Sequence, residues 1–338
     1  MPGDVADTRH DLVVIGASAG GVEALRQLVS CLPRDFGASV VAVLHLPAGG
    51  TSVLPSILDR AGPLVARPAE DGAALEPGMI YVAVPDCHVQ IDDGRLSVAG
   101  GPRENGHRPA IDPLFRTAAH SHRERTIGVI LSGALDDGTL GLRTIKSNGG
   151  MTIVQDPESA LHPGMPRSAI RAVAPDRVLE PEQIAAALAE FVNGAGEKRH
   201  NGETMETQSE REQIRAQASP DQPGEETGMT CPECGGAINE VTDGQVVTYR
   251  CRVGHQYGSD TFVIEQSKTA ENSLWAALRL LEERAVLMRR LADRHSRQER
   301  SSTRFTRKAD ELEAHAGELT QLLREITGAS QPVLTEEG

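Results

Sequence analysis

Residues 11–192 alternate between short runs of β-branched and aliphatic residues and longer segments with helical periodicity. The runs that predict strands are residues 12–15, 39–44, 79–84, 126–131 and 151–155. Such alternation is typical of an α/β fold, in which helices cover both faces of a mostly parallel sheet. Asp93 and Gly94 also predict a small antiparallel hairpin, because this dipeptide favours two-residue turns. We therefore predict a doubly wound, mostly parallel sheet.

The composition excludes several classes of protein. The chain has 338 residues, is 39% hydrophobic and carries a net charge of −14. An acidic chain has no general attraction for nucleic acid or for anionic membrane surfaces, so neither is an expected partner. No apolar run approaches the ~20 residues of a membrane span, and the N-terminus lacks the layout of a signal peptide. The five cysteines form no secreted disulfide pattern, and together these features indicate a cytoplasmic protein.

The composition changes after the α/β segment. Residues 193–228 contain almost no large apolar side chains and are predicted to form a disordered linker. Residues 229–260 hold three of the five cysteines, and residues 261–328 contain two apolar helical seams separated by polar residues. These seams predict an α-helical hairpin, or a coiled coil through which the chain forms a homodimer or contacts a partner. Residues 1–10 and 329–338 are predicted to be tails.

The first predicted strand runs into a glycine-rich turn that contains Ser18. A dinucleotide-binding fingerprint needs glycine at this position and an acidic residue at the end of the second strand, where His45 stands. A nucleotide site is therefore not expected. The pattern Gly16-x-Ser18-x-Gly20 matches a nucleophile elbow, in which a serine lies on a sharp turn between a strand and a helix. The remaining alternative is a simple turn in which Ser18 caps the following helix.

His45 and Asp137 are candidates to complete a catalytic triad with Ser18. Each follows a predicted strand, and the carboxyl ends of parallel strands meet at one edge of a sheet. A serine needs a base within hydrogen-bond reach, and a carboxylate then orients that base. The chain order Ser, His, Asp differs from that of α/β-hydrolases, but triads are defined by geometry. In the alternative interpretation, His45 is a core histidine and Asp137 caps the helix after it.

Several motifs of residues 11–192 resemble the catalytic domain of the CheB-type chemotaxis receptor methylesterases. In chain order they are GASAGGVEAL, LHLP, GMIYVAVPDCHV, GHRPAIDPLFRTAA, LSGALDDGTLGL and HPGMPRSAI. The resemblance implies that Ser18 is the nucleophile, His45 the general base and Asp137 the orienting acid, with no cofactor for catalysis. The reaction that it implies is hydrolysis of glutamate γ-methyl esters on chemoreceptors, which releases methanol, together with deamidation of receptor glutamines.

The sequence departs from the family pattern at three places. Ala19 stands where the family often has threonine, and Ala134 stands where it often has methionine. Both positions lie near the reacting carbon in the family, so they bear on rate and substrate preference. Regulated family members also carry an N-terminal receiver domain, whereas only ten residues precede the α/β segment here. We therefore expect a phosphodonor to change the activity of this chain little.

The three clustered cysteines follow a metal-ligand spacing. Cys231, Cys234, Cys251 and His255 form the pattern C-x2-C-x16-C-x3-H. Four protein ligands close a tetrahedral zinc site, so a structural role fits better than a catalytic one. In so short a segment the metal would supply much of the folding free energy. We predict a zinc-ribbon-like module, with an empty ribbon or a redox-active cysteine pair as alternatives.

Two functions of different classes fit these features. The leading hypothesis is a serine hydrolase that acts on methylated receptor glutamates. The alternative is an adaptor, in which the α/β domain is catalytically idle and the zinc-hairpin tail recruits a signalling partner. The joint presence of Ser18, His45 and Asp137 favours the enzyme, because an idle domain needs none of them. A hydrolase of unrelated small esters also fits the triad.

Overall fold

The computed structural model describes residues 10–45, 52–194, 224–244 and 246–329. These residues belong to two compact units, one that ends at Val263 and one that begins at Ile264. The predicted linker and both predicted tails lie almost wholly outside the described residues.

A seven-stranded parallel sheet forms the centre of the first unit. Its strands are β1 (Leu12–Ala17), β2 (Ser39–Leu44), β3 (Val65–Pro68), β4 (Met79–Val82), β7 (Thr126–Ile130), β8 (Met151–Gln155) and β9 (Arg177–Leu179). Their spatial order is β3-β4-β2-β1-β7-β8-β9. The predicted doubly wound parallel sheet is thereby confirmed. The prediction omitted only the two edge strands, β3 and β9, which are short and partly exposed and so lack a long apolar run.

The central strands β1, β2 and β7 are buried along their whole length. Val13 and Ile15 face one apolar core, and Val14 faces the other. Strands that are covered on both faces read as nearly continuous apolar sequence rather than as alternation. For this reason these strands were the clearest in the sequence.

Helices cover both faces of the sheet. On one face are α1 (Gly21–Ser30), α2 (Leu54–Ala61) and α6 (Pro181–Val192). On the other are α3 (Ile111–His122), α4 (Thr139–Ser147) and α5 (Gly164–Val173). The predicted hairpin is present as β5 (His88–Asp92) and β6 (Arg95–Ala99), and both Asp93 and Gly94 have the positive φ that a two-residue turn requires.

The cysteine-containing segment folds as a four-stranded antiparallel sheet within the first unit. Its strands are β10 (Glu225–Thr230), β11 (Ala237–Asp243), β12 (Val246–Cys251) and β13 (Gln256–Gly258). A small core of Ile238, Tyr257 and Phe262 lies beside two of the cysteines. We refer to residues 224–258 as the ribbon. Its first strand begins at Glu225, four residues before the predicted start of the module.

The second unit is an antiparallel helical hairpin. Helix α7 (Ser259–Arg294) continues into this unit and pairs with α8 (Glu299–Ala329). Leu278 packs with Leu323 in a buried apolar cluster, and Arg289 forms ion pairs with α8. The predicted hairpin is confirmed, whereas dimerisation through these helices stays a prediction. Among the helices that the structure describes, none has a long enough apolar stretch to cross a membrane.

Candidate active site and metal-ligand cluster

The strand order reverses between β1 and β7. The chain passes from β1 to β2 on one side, and later returns to place β7 on the other side of β1. In open α/β sheets, ligands bind at the carboxyl ends of the strands at such a reversal. Ser18 follows β1, His45 follows β2 and Asp137 lies in the loop after β7. The topology therefore brings the three predicted residues to one crevice.

The side chains of Ser18, His45 and Asp137 form a continuous hydrogen-bonded chain. Nδ1 of His45 lies 3.0 Å from Ser18 Oγ, and Nε2 of His45 lies 2.6 Å from Asp137 Oδ2. The carboxylate fixes the imidazole tautomer that carries its proton on Nε2, which leaves the Nδ1 lone pair to accept the Ser18 proton. The His45 and Asp137 side chains are only 6% and 2% exposed, so this chain of bonds is shielded from water.

Ser18 is presented by a tight turn and does not cap helix α1. The N-cap of α1 is Gly20, with a φ of 72°, and no side chain caps this helix. A β-carbon at Gly20 would lie 2.7 Å from Ser132 Oγ, so both the backbone conformation and the space require glycine. In the described part of the chain, the N–H groups of Ala19 and Gly20 have no hydrogen-bond partner. These N–H groups are therefore available to stabilise an oxyanion.

Asp137 accepts four hydrogen bonds. Besides His45, the donors are the backbone N–H groups of Ile111 (2.8 Å) and Asp112 (3.3 Å) and the Asn105 amide (2.8 Å). The carboxylate thus lies at the N-terminus of α3, where helix N–H groups lack intrahelical partners. Burial alone would raise the pKa of Asp137, but the bond and charge of His45 and the Ile111 N–H outweigh it and hold that pKa below its ordinary value. Asp137 is therefore ionised, as an orienting acid must be.

Asp136 lies next to Asp137 in the chain but points away from His45. Its carboxylate accepts bonds from the Asp260 N–H, at 3.1 Å, and from the Thr261 hydroxyl. Burial raises the pKa of Asp136 above its ordinary value. The helix after this loop, α4, has Gly138 as its N-cap and no side-chain cap. Asp137 therefore does not cap the helix that follows it, and it is the aspartate that contacts His45.

Three residues around the acid were not singled out in the sequence. The Asn105 amide donates to Asp137 and also to Asp112 Oδ2, at 3.0 Å. Asp112 is buried, and this burial, with the charge of Asp137, raises the pKa of Asp112 well above its ordinary value. The His107 ring stacks on the His45 ring with centroids 3.7 Å apart. The dipeptide Asn105-Gly106 was an available signal, because Asn-Gly marks a two-residue turn.

The four predicted metal ligands come together in the ribbon. One ligand atom from each of Cys231, Cys234, Cys251 and His255 lies within 4.8 Å of all the others. The Cys234 and Cys251 sulfurs are 3.7 Å apart, and His255 Nδ1 lies 3.4 Å from Cys251 Sγ. A tetrahedron with Zn–S bonds of about 2.3 Å has S–S edges of about 3.8 Å. The cluster therefore has the dimensions that a tetrahedral metal ion requires.

The surroundings of the cluster also suit a metal. His255 Nε2 lies 3.6 Å from a Glu233 carboxylate oxygen, and metal-ligating histidines commonly have such a carboxylate on their second nitrogen. The Tyr257 hydroxyl lies 3.5 Å from Cys231 Sγ. Three thiols and an imidazole are the donor set that zinc prefers. The remaining two cysteines, Cys31 and Cys87, lie outside the cluster and form no disulfide.

Comparison with known proteins identifies relatives of the α/β domain. A model of the CheB methylesterase family matches residues 13–188. A protein of Leptospira interrogans, provisionally named a protein-glutamate methylesterase/protein-glutamine glutaminase, is 42% identical over 177 residues, which are 52% of this chain and 92% of that protein. The protein-glutamate methylesterase/protein-glutamine glutaminase of Moorella thermoacetica is 39% identical over 192 residues, which are 55% of this chain and 45% of that protein.

A solved structure matches the same region. The crystal structure of the Thermotoga maritima CheB methylesterase catalytic domain superposes with a TM-score of 0.52 and 36% sequence identity, and the match covers 54% of this chain and 98% of that one. The chain belongs to the CheB methylesterase family. The resemblance inferred from the sequence motifs is thereby confirmed for the α/β domain. The family match ends at residue 188, before the ribbon and the helical hairpin.

Proposed function

We propose that this protein is a serine hydrolase that removes γ-methyl groups from glutamate side chains of chemoreceptors. The observation that carries the proposal is the bonded chain from Ser18 through His45 to Asp137 at the reversal of strand order. The names of the relatives supply the reaction, since they are called protein-glutamate methylesterases. We also propose that it acts in the cytoplasm, a reducing compartment that suits its unpaired cysteines.

The geometry supports a two-step acyl transfer. Ser18 Oγ attacks the ester carbonyl while His45 Nδ1 takes its proton, and ionised Asp137 stabilises the resulting imidazolium. The oxyanion of the tetrahedral intermediate accepts hydrogen bonds from the N–H groups of Ala19 and Gly20 at the start of α1. Collapse of the intermediate releases methanol, which takes the proton from His45. Water activated by the same histidine then hydrolyses the acyl-enzyme and restores Ser18 with a free glutamate carboxylate.

The same residues support deamidation of glutamine. An amide presents the same carbonyl to Ser18, and the leaving ammonia takes its proton from His45 as methanol would. The relatives carry protein-glutamine glutaminase as the second part of their names. We therefore extend the proposal to receptor glutamines.

The proposal is tested with the purified full chain and membranes that contain receptors labelled on their methyl groups. Release of labelled methanol in proportion to enzyme concentration is the expected result. Hydrolysis of small esters without methanol release would favour an unrelated esterase. Absence of both activities from folded protein would favour the adaptor.

Leu161 supports a protein substrate. This leucine is 74% exposed, and a β-carbon at Gly20 would lie 2.8 Å from the Leu161 β-carbon, so the side chain lies over the turn that holds Ser18. An apolar side chain at this position buries apolar surface when the apolar face of a substrate helix packs against it. Leu161→Asp should raise the KM for methylated receptors by about 5- to 30-fold, the equivalent of roughly 1–2 kcal/mol of lost apolar contact.

The control for Leu161→Asp is Val65→Asp, at an exposed valine on the edge strand β3. Turnover of a small chromogenic ester should stay unchanged in both variants. An unchanged KM for receptors in Leu161→Asp would show that the substrate does not contact this leucine.

We propose that the ribbon binds one structural zinc ion. Four protein ligands leave no open coordination position, so the metal would stabilise the ribbon and would not contact the ester substrate. The four ligands are Cys231, Cys234, Cys251 and His255, whose atoms form the tetrahedral cluster described above.

Elemental analysis of protein purified without chelators should find about one zinc per chain. Cys231→Ser should lose the metal, because one thiolate ligand is absent and water does not readily replace it at a buried position. Cys31→Ser is the matched control, since Cys31 is exposed at the end of α1 and should leave the zinc content unchanged. A metal-free wild-type protein would refute the site.

A further inference from the structure

The ribbon contacts the residue that holds the catalytic carboxylate. The backbone N–H of Asn105 donates to the Gln256 carbonyl at 2.7 Å, and the Asn105 side-chain carbonyl accepts the Gly258 N–H at 2.7 Å. Both ribbon residues are on β13, within the same compact unit as the α/β domain. The Asn105 amide group donates its two hydrogens to Asp137 and Asp112. Asn105 therefore links β13 directly to the acid of the triad.

Asn105 is buried, and each polar group of its side chain has a partner. It is only 2% exposed, and it has a φ of 52° in a tight turn with Gly106. The turn is closed by two hydrogen bonds between Glu104 and His107, as in a two-residue hairpin. A buried amide needs partners for its carbonyl and for both N–H groups, and the ribbon supplies the partner of the carbonyl. Without β13 the Asn105 side chain would be free to turn its carbonyl towards other donors and away from this arrangement.

A second contact joins the start of α7, directly after the ribbon, to the loop between β7 and α4 that contains Asp137. Asp136, the residue before the acid, accepts bonds from the Asp260 N–H and the Thr261 hydroxyl, just beyond β13. Gly258 lies so close to this carboxylate that a β-carbon on Gly258 would lie 2.6 Å from Asp136 Cγ. Both ends of the short segment from Gln256 to Thr261 are therefore fixed to residues that adjoin Asp137 in space or in the chain.

The metal-ligand cluster directly adjoins this segment. His255 immediately precedes Gln256, and its carbonyl accepts the N–H of Cys251. A metal ion that binds His255 and the three cysteines would therefore hold β13 in register with β12. An open pocket of about 190 Å³ also lies between the ribbon and the α/β domain, lined by Asp136, Arg171 and Gly258 among others. Besides the hydrogen bonds of Asn105, the ion pairs Arg103–Glu233 and Arg143–Asp243 join the two parts.

We propose that the ribbon is a metal-dependent clamp on the catalytic carboxylate, with Asn105 as the positioning residue between them. When the ribbon is folded around its metal, β13 fixes Asn105, and Asn105 holds the Asp137 carboxylate in the plane that meets His45. When the metal is lost, Asn105 loses this support and the reactivity of Ser18 falls. The inference rests on the proposed serine hydrolase and on the proposed metal site, and it adds that metal content sets the rate of the chemical step.

Gly258→Ala tests the clamp without altering the triad or a metal ligand. The new methyl group collides with Asp136 and should displace β13 from Asn105. We expect kcat to fall about 5- to 50-fold with little change in KM, since only the orientation of the acid changes. Zinc content should stay at that of the wild type. Gly100→Ala is the matched control, because no atom lies within 4 Å of the methyl group that it adds. The activity of this variant should equal that of the wild type.

A second substitution shows whether the collision is the cause. Asp136→Ala removes the carboxylate that Gly258→Ala meets and also the bonds to Asp260 and Thr261, so the double variant is compared with Asp136→Ala alone. In that background the further loss from Gly258→Ala should be small. Equal effects of Gly258→Ala in both backgrounds would show that it acts elsewhere and would contradict the clamp.

The decisive experiment combines metal removal with Asn105→Ala. The measured quantity is the rate at which a fluorophosphonate labels Ser18, which reports the reactivity of its hydroxyl. Removing zinc from the full-length wild type with a chelator should lower the labelling rate by a factor similar to that of Asn105→Ala. Removing zinc from Asn105→Ala should lower it no further, a non-additivity that a merely structural role of Asn105 would not produce.

The outcomes separate the inference from the proposed function. Metal-dependent labelling without methanol release from receptors would refute the proposed substrate and leave the clamp intact. Unchanged labelling after zinc loss, in protein whose cysteines have become titratable, would overturn the clamp. If Asn105→Ala fails to fold, as judged by circular dichroism, the Gly258→Ala variants and their controls decide between the clamp and its absence.

Discussion

Ser18→Ala should lower methanol release from methylated receptors by about 10⁴- to 10⁶-fold, as expected when the nucleophile of a triad is removed. The variant keeps the Ala19 and Gly20 N–H groups and the substrate crevice, so only the contribution of the oxyanion site and of binding should remain. The fold should not change, because Ser18 Oγ bonds to His45 and caps no helix. The measurement is single-turnover release of labelled methanol, compared with the wild type.

His45→Ala should lose nearly as much activity as Ser18→Ala, and the double variant should lose little more than either. Residues that act as one unit give such non-additive losses, because each is useless without the other. Ser30→Ala, at an exposed serine on α1, is the control and should keep full activity. Turnover of Ser18→Ala at the wild-type rate would show that Ser18 is not the nucleophile.

The sequence predicted the central strands of the fold because burial on both faces makes them continuous apolar runs. The prediction failed for β3 and β9, whose exposed edges need few apolar side chains. It also placed the start of the ribbon four residues late, since Glu225–Thr230 carries little apolar sequence. This strand is held by pairing with β11, which no local pattern announces.

The proximity of Ser18, His45 and Asp137 was predictable because topology, rather than side-chain detail, brings these three residues together. Ser18 and His45 directly follow adjacent parallel strands, and Asp137 follows the strand on the other side. The support of the acid was not predictable in the same way. Asn105 reaches Asp137 across 32 positions of the sequence from a turn outside the sheet, and only its Asn-Gly dipeptide marked a turn there.

The relation between ribbon and α/β domain was also beyond the sequence. The cysteine spacing predicted the cluster of Cys231, Cys234, Cys251 and His255, because it has two pairs of residues close in sequence at the spacing typical of a zinc ribbon. The spacing did not predict the contact of β13 with Asn105, which joins residues about 150 positions apart. On the side of β13 this contact uses only backbone groups, which leave no signal in the sequence. Contacts of this kind follow only from the assembled structure.

Asp137→Asn should be almost as severe as loss of the nucleophile, with kcat lowered by about 10⁴-fold. Both oxygens of Asp137 face N–H donors, so an amide NH₂ group in either orientation meets a donor. Oδ1 accepts from the Asn105 amide and the Asp112 N–H, and Oδ2 accepts from the Ile111 N–H and His45 Nε2. A backbone N–H can only donate, whereas His45 Nε2 accepts when the imidazole changes tautomer, and this favours placing the NH₂ group towards His45 Nε2. The imidazole must then carry its proton on Nδ1, where it can no longer accept the proton of Ser18.

Asp136→Asn is the matched control in the same loop and should cost far less activity, because Asp136 faces Thr261 and not His45. Single-turnover rates of the two variants give the comparison, and a greater loss in Asp136→Asn would identify the other aspartate as the acid.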